Sequence, residues 1–342
     1  TAALAFSMLI VGSLSEAWGR KPIMTFSMVA VAILTFLIAF SPNYHMLLTL
    51  RVIQGIVFAG LPAIAMAYLG EEIEPASLGA AMGLYISGNS IGGLAGRIIM
   101  GTVSDLFNWR IGMLTIGTIS LLVAIAFYFL LPASKHFNAE RLAFKPLFKS
   151  MVMHLKDPAL LSLFGIGFLL MGSFVTMYNY IGFQLLNPPY SLSQTVVGWI
   201  FLIYLVGTFS SAWMGGLADQ HGRFKILLTG IGLMLVGAVL ALAGNLILKI
   251  FGIAIFTFGF FGGHSIASGW VGQRASHDKA QASSLYLFFY YVGSSVGGTS
   301  GGIFWTKYGW NGVISIILLF LVVASILTYT INKITIKKTR LG

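Results

Sequence analysis

Apolar runs long enough to cross a bilayer recur along this chain, and no other feature restricts its fold as strongly. A helix spans the hydrocarbon core with about 20 apolar residues, and in lipid its backbone N–H and C=O groups must be satisfied within the segment. Spans are predicted near residues 1–17, 22–41, 45–69, 78–102, 110–131, 158–186, 195–219, 224–244, 248–272, 281–305 and 311–332. With 8% charged and 57% apolar residues, the chain cannot clothe a soluble domain in polar side chains. The expected class is an all-α polytopic membrane protein with eleven spans. Because Thr1 already stands inside an apolar run, a further helix is expected to precede it.

Several function classes drop out early. The chain has no cysteine, which removes disulfides, thiolate catalysis and cysteine-ligated metals. No Gly-x-x-x-x-Gly-Lys-Ser/Thr loop or Gly-x-Ser-x-Gly elbow stands in a suitable loop, so ATP-driven transport and a serine-type enzyme are not expected. His264 has no second His, Asp or Glu at ligand spacing. Neither a metal nor a cofactor is expected.

The net charge of +11 would suit nucleic acid only if the basic residues shared one folded surface. They instead follow membrane topology. Arg20, Lys21, Lys135, Arg141, Lys145, Lys149, Lys156, Arg223, Lys225, Arg274, Lys279, Lys333, Lys337, Lys338 and Arg340 fall on one side of the predicted spans, and Arg110, Lys249 and Lys307 on the other. Arg51 and Arg97 lie inside helices. The rich side is expected to be cytoplasmic. Residues 1–131 then form an N-terminal transmembrane half, 132–157 a cytoplasmic linker with a short interfacial helix, and 158–342 a C-terminal half with a basic tail.

The halves repeat. "GSLSEAWGRKP" from Gly12 returns as "GGLADQHGRFK" from Gly215, 203 residues later, and "YISGNSIGGLAGR" from Tyr85 returns as "YYVGSSVGGTSGG" from Tyr290, 205 residues later. Two blocks held in register indicate a duplicated bundle.

The pattern Gly-x-Leu-x-acid-x-x-Gly-Arg resembles the signature loop of the major facilitator superfamily, with Gly12, Leu14, Glu16, Gly19 and Arg20 in one copy and Gly215, Leu217, Asp219, Gly222 and Arg223 in the other. "GLYISGNSIGG", "GFLLMGSFVTMYNYIG" and "QASSLYLFFYYVGSS" resemble the acriflavine-sensitivity, or YnfM, branch of bacterial inner-membrane exporters. The resemblance implies two six-helix bundles related by a pseudo-twofold axis, alternating access, and export of a small organic solute with the proton as coupling ion. It also implies that the two loops, Lys21 included, lock one conformation from the cytoplasmic side. A monomer is expected.

"LLTLRVIQG" resembles the superfamily's fourth-helix motif, with Arg51, Gln54 and Gly55 in place. An arginine about two turns inside a span costs several kcal/mol unless it meets a cavity, a carbonyl or a counter-charge, so Arg51 is a substrate or coupling candidate or else a hydrogen-bonding post between helices. Arg97 ends a glycine-rich run, Gly79, Gly88, Gly92, Gly93 and Gly96, that resembles the antiporter motif but carries Gly93 for its proline and Arg97 for its final glycine. Gly88, Gly92, Gly93 and Gly96, together with Gly293, Gly297, Gly298 and Gly301, are expected to form the helix-packing seam between rocking halves.

None of the nine acidic residues lies at mid-membrane on these spans, so coupling is expected through Glu16, Asp219, His264 or a carboxylate in the preceding helix. Tyr85, Asn89, Tyr178, Asn179, Tyr180 and Gln184 are candidates to line the cavity, with an interfacial belt the alternative for Tyr178 and Tyr180. Trp109, Trp305 and Trp310 are expected to be belt anchors. A permease of the other direction and a non-transporting membrane sensor remain the rival readings.

Overall fold

The computed structural model describes residues 1–134 and 144–341, with side chains except at 12, 13, 16, 63, 66, 67, 70, 75–83, 86, 87, 90, 144–147, 280 and 335–341. Every regular element among the described residues is helical. Thr1–Phe144 and Ser193–Phe201 form one compact unit; Lys145–Leu192 and Leu202–Gly342 form the other.

The first unit runs α1 (Ala2–Trp18), α2 (Arg20–Ala39), α3 (Tyr44–Phe58), α4 (Pro62–Glu72), α5 (Pro75–Leu106) and α6 (Trp109–Leu130). Asn43 and Asn108 start α3 and α6 by accepting from Met46 N at 2.9 Å and Ile111 N at 3.0 Å. The span predicted over 45–69 is two helices. Pro62 cannot donate to a carbonyl one turn back and its ring crowds that carbonyl, so the ladder breaks over residues 59–61. Gly60 sits in the break, where a Cβ would collide with Ser27 of α2. Met24, Ile64, Ala65 and Tyr68 close one core beside it, and Ile38, Ala39 and Met113 close another.

The second unit takes in the linker helix α7 (Phe144–Lys156) from its second residue and continues through α8 (Pro158–Leu186). Asp157 caps α8, its Oδ1 accepting from Ala159 N at 2.8 Å and Leu160 N at 3.2 Å. The span predicted over 195–219 is α9 (Gln194–Ile200), which belongs to the first unit, a 3-10 turn at Phe201–Ile203 and α10 (Tyr204–His221) of the second. After α11 (Arg223–Leu240) and α12 (Leu246–Arg274), α13 (Lys279–Leu341) covers both of the last predicted spans and is broken at Gly309, φ 59°. Buried Phe164, Leu170, Met177, Phe256, Phe260 and Tyr286 hold this unit together.

Seven helices among the described residues are long and apolar enough to cross a membrane, one of them, Gln281–Ile334, taking in two predicted spans. The shorter apolar helices Ala2–Val11 and Tyr44–Phe58 fall below that length.

Candidate functional site

In the first unit the fourth-helix motif builds a connected polar cluster. Arg51 Nη1 donates to Gln54 Oε1 at 3.1 Å, one turn on along α3, and Gln54 Nε2 donates to Thr35 Oγ1 on α2 at 2.8 Å. Arg51 Nη2 lies 3.8 Å from Met113 Sδ on α6, a weak acceptor. Gln54 therefore holds the guanidinium with its oxygen and α2 with its nitrogen. Among the described residues Arg51 stays exposed and keeps donors for an incoming acceptor.

The other candidates on this unit do not converge on Arg51. Tyr85 is half-buried against the Met24, Ile64 and Tyr68 core. Asn89 is exposed on α5. Arg97 donates to Gly93 O at 3.1 Å and sets its guanidinium 4.8 Å from the centre of the Phe201 ring. A Cβ at Gly88, Gly92 or Gly96 would meet nothing within 4 Å among the described residues, and one at Gly93 would reach only Arg97 Nη1 at 3.6 Å.

Both signature turns rest on a glycine with positive φ, Gly19 at 96° and Gly222 at 90°. An L side chain is strained in that region, which accounts for glycine immediately before each arginine. The ion pairs then differ. Arg20 reaches Glu71 at the end of α4, Nη2 to Oε1 at 2.6 Å, and also binds Ser15. Lys21 donates to Leu131 O beside the Tyr128 ring, tying α2 to the end of α6. In the second unit Arg223 pairs with Asp219 of its own turn at 3.2 Å. Arg274 stands 203 residues after Glu71 and turns instead to Asp157 at 3.3 Å. A Cβ at Gly215 would only just touch Ser265, at 3.8 Å. Gly12, Glu16 and Gly79 lie outside the residues whose side-chain surroundings are described.

In the second unit His264 Nδ1 shares a hydrogen bond with Tyr286 OH at 2.9 Å, and its ring packs 4.5 Å from Tyr290 and parallel to Phe260. Tyr178 is no cavity wall. It is buried among Phe174 and Tyr204, and its hydroxyl lies 2.6 Å from Thr257 Oγ1, because so large a ring gains more from the aromatic core than from an aqueous face. Tyr180 donates to Gly298 O at 2.6 Å and stacks on Trp305. Asn179 is exposed with its amide beside Gly298, and Gln184 is half-buried.

Two expectations need correcting. Gly293, Gly297 and Gly301 are packed inside their own unit: a Cβ at Gly297 would come within 2.5 Å of Gly172 O, one at Gly301 within 2.5 Å of Tyr180, and one at Gly293 would overlap Phe168. This ridge lets α13 lie backbone to backbone on α8 inside one unit. Trp310 is a core residue and no belt anchor, because its indole finds an acceptor inside: it is 7% exposed and donates to Ala241 O at 2.8 Å.

Glu71, Thr35, Met113, Tyr286 and Tyr290 are the partners that the sequence reading missed. Tyr290 had a signal, since it aligns with Tyr85 in the internal repeat.

Comparisons with known proteins bear on the whole chain. The family model described as Major Facilitator Superfamily matches residues 1–187 and 164–340. An uncharacterized MFS-type transporter of Bacillus subtilis, YybF, is 56% identical over 324 residues, 95% of this chain and 80% of that protein. The inner membrane transport protein YnfM of Escherichia coli is 47% identical over 95% of this chain and 78% of its own length. A multi-drug resistance efflux pump of Streptococcus pneumoniae, PmrA, is 27% identical over 89% of this chain and 77% of the pump. Among solved structures, a mutant of the nucleoside transporter NupG aligns with TM-score 0.71 at 16% identity, covering 97% of this chain and 89% of that one. A bacterial homolog of the human lysosomal transporter Spinster aligns with TM-score 0.70, also at 16% identity, covering 98% and 91%. The chain has the major facilitator fold and belongs to the Major Facilitator Superfamily of multi-pass membrane transporters.

Proposed function

We propose that the protein exports a small organic solute across a bacterial plasma membrane in exchange for protons. The observation that carries this reading is the Arg51 cluster: a guanidinium on an apolar helix, held by Gln54 and, among the described residues, left with open donors. Such a charge is costly at membrane depth unless it meets water or a ligand acceptor. Arg51 binds a carbonyl, carboxylate or other acceptor of the solute, Gln54 orients it, and Thr35 and Met113 hold the pair from α2 and α6. His264, bonded to Tyr286, is the proton-coupling candidate of the second unit. The similarity to the efflux pump PmrA supports the outward direction.

The halves at 1–131 and 158–342 move about the linker at 132–157, which with the C-terminus faces the cytoplasm, a placement that the Lys and Arg bias supports. The signature turns act as the cytoplasmic lock, with Arg20 and Glu71 the pair that bears on it in the first unit. The transporting species is a monomer.

The test uses the full-length protein in proteoliposomes with an imposed pH gradient, following acriflavine and internal pH together. Dye movement opposed to proton flow, lost in Arg51→Ala and largely lost in Gln54→Ala, is the expected result. Dye movement that ignores the gradient removes the antiport reading, and wild-type movement in Arg51→Ala removes the assignment of the site.

A further inference from the structure

The linker helix α7 has two faces, and the structure accounts for only one of them. Ser150, Met151 and His154 are buried, and the His154 ring stacks on His277 of the α12–α13 turn with centroids 4.5 Å apart. One residue beyond the helix, Asp157 pairs with Arg274 at 3.3 Å. These contacts fix the rotation of α7 about its axis. On the opposite side Phe148 is 54% exposed, Val152 49% and Met153 41%, and Lys149 and Lys156 are exposed among them.

Asp157 alone separates α7 from Pro158, the first residue of the membrane-crossing helix α8. A helix joined to a span by one residue ends within a few ångströms of that span's first turn. Large apolar side chains interleaved with lysines suit that boundary, where the apolar groups enter the acyl region and the ammonium groups reach anionic headgroups. No acidic residue lies between Arg141 and Lys156, so nothing on α7 repels such headgroups.

We infer that the outward face of α7, Phe148, Lys149, Val152, Met153 and Lys156, is a binding surface for anionic lipid of the cytoplasmic leaflet. The occupant is a bilayer surface because the apolar residues and the cations share one face, next to a span and on the basic side of the chain. Binding there holds the linker against the membrane while the His154 and Asp157 contacts hold it to the second unit.

The experiment uses the native absence of cysteine. A single Val152→Cys in the full-length protein carries an environment-sensitive fluorophore and is reconstituted in phosphatidylcholine vesicles with or without about 30% phosphatidylglycerol. The expected result is a blue-shifted emission, quenched by brominated lipid, that grows with anionic content and falls with salt. Lys149→Gln and Lys156→Gln each weaken the anionic preference about fivefold, and together about 25-fold. A second label at Phe148→Cys must report the same trend, which separates lipid contact from local unfolding around one site. The inference fails if both labels stay water-exposed in anionic vesicles, if the shift is independent of phosphatidylglycerol, or if it follows protein density and so reports a second copy of the chain.

Discussion

Gly222 offers a clean measurement of what the signature turn demands of the backbone. Its φ of 90° and ψ of 136° place it where L residues are strained, yet a Cβ there would meet nothing within 4 Å among the described residues. Gly222→Ala therefore adds no clash, and its whole cost is conformational, about 1–3 kcal/mol. Gly232, inside α11, also has open space around its missing Cβ but has helical geometry. Gly232→Ala removes unfolded-state freedom and gains about 0.5–1 kcal/mol. The two substitutions are chemically identical and only 10 residues apart, so their difference of about 1.5–4 kcal/mol isolates the turn. Thermal unfolding in mild detergent, followed by tryptophan fluorescence, should show the Tm of Gly222→Ala lowered by about 3 °C for a loss of about 2 kcal/mol in a chain of 342 residues, while that of Gly232→Ala rises slightly. Equal effects in the two variants would refute the argument, because the turn would then impose no positive φ.

Glu71→Gln should destabilise the first unit by about 1–3 kcal/mol in the same assay, since the Arg20 side chain is 9% exposed and would keep its charge without its partner; the figure is discounted because Glu71 is 33% exposed. Gly297→Leu should cost more than about 3 kcal/mol and separate α13 from α8, read as loss of the folded fraction on size exclusion, because Gly172 backbone occupies the space. Thr195 Oγ1 donates to Asp105 at 2.7 Å, and this bond first of all holds the exposed Asp105 carboxyl below its ordinary range. The contribution is present above about pH 4 and is lost as pH falls through the depressed value. Thr195→Val should move that titration upward in carboxyl-carbon NMR of labelled aspartate, of which the chain has only four.

The helices were legible because the bilayer admits so few backbone solutions, so long apolar runs report directly on helices able to cross it. The interruption at Pro62 was equally visible, but hydropathy averages over 45–69 and outweighs one proline. Partners were harder to read. That Arg20 would choose Glu71, or Tyr178 the Thr257 hydroxyl, depends on which helices become neighbours, and residues 51 or 79 positions apart carry no periodic signal of that. The glycine ridges illustrate the same limit. Their spacing shows that something approaches closely, while only the fold shows that α8 is what approaches Gly293, Gly297 and Gly301. Tyr178, read as cavity or belt, and Trp310, read as belt, proved to be core, because a large ring gains as much from packing as from either role.

The nine residues Ser193–Phe201 pack with the first unit although the chain before and after them belongs to the second. In α9, Gly198 lies against Arg97 O and Ile98, and Gly101 lies against Gln194 O, so α9 and α5 meet through glycine on both sides. A gene divided within the linker would thus not encode two self-sufficient fragments. The downstream product would carry a strip of structure whose seat is on the upstream product, and the upstream product would expose an empty seat along Arg97, Gly101 and Asp105. Such fragments would be complementary in the manner of a split reporter, each needing the other to finish folding.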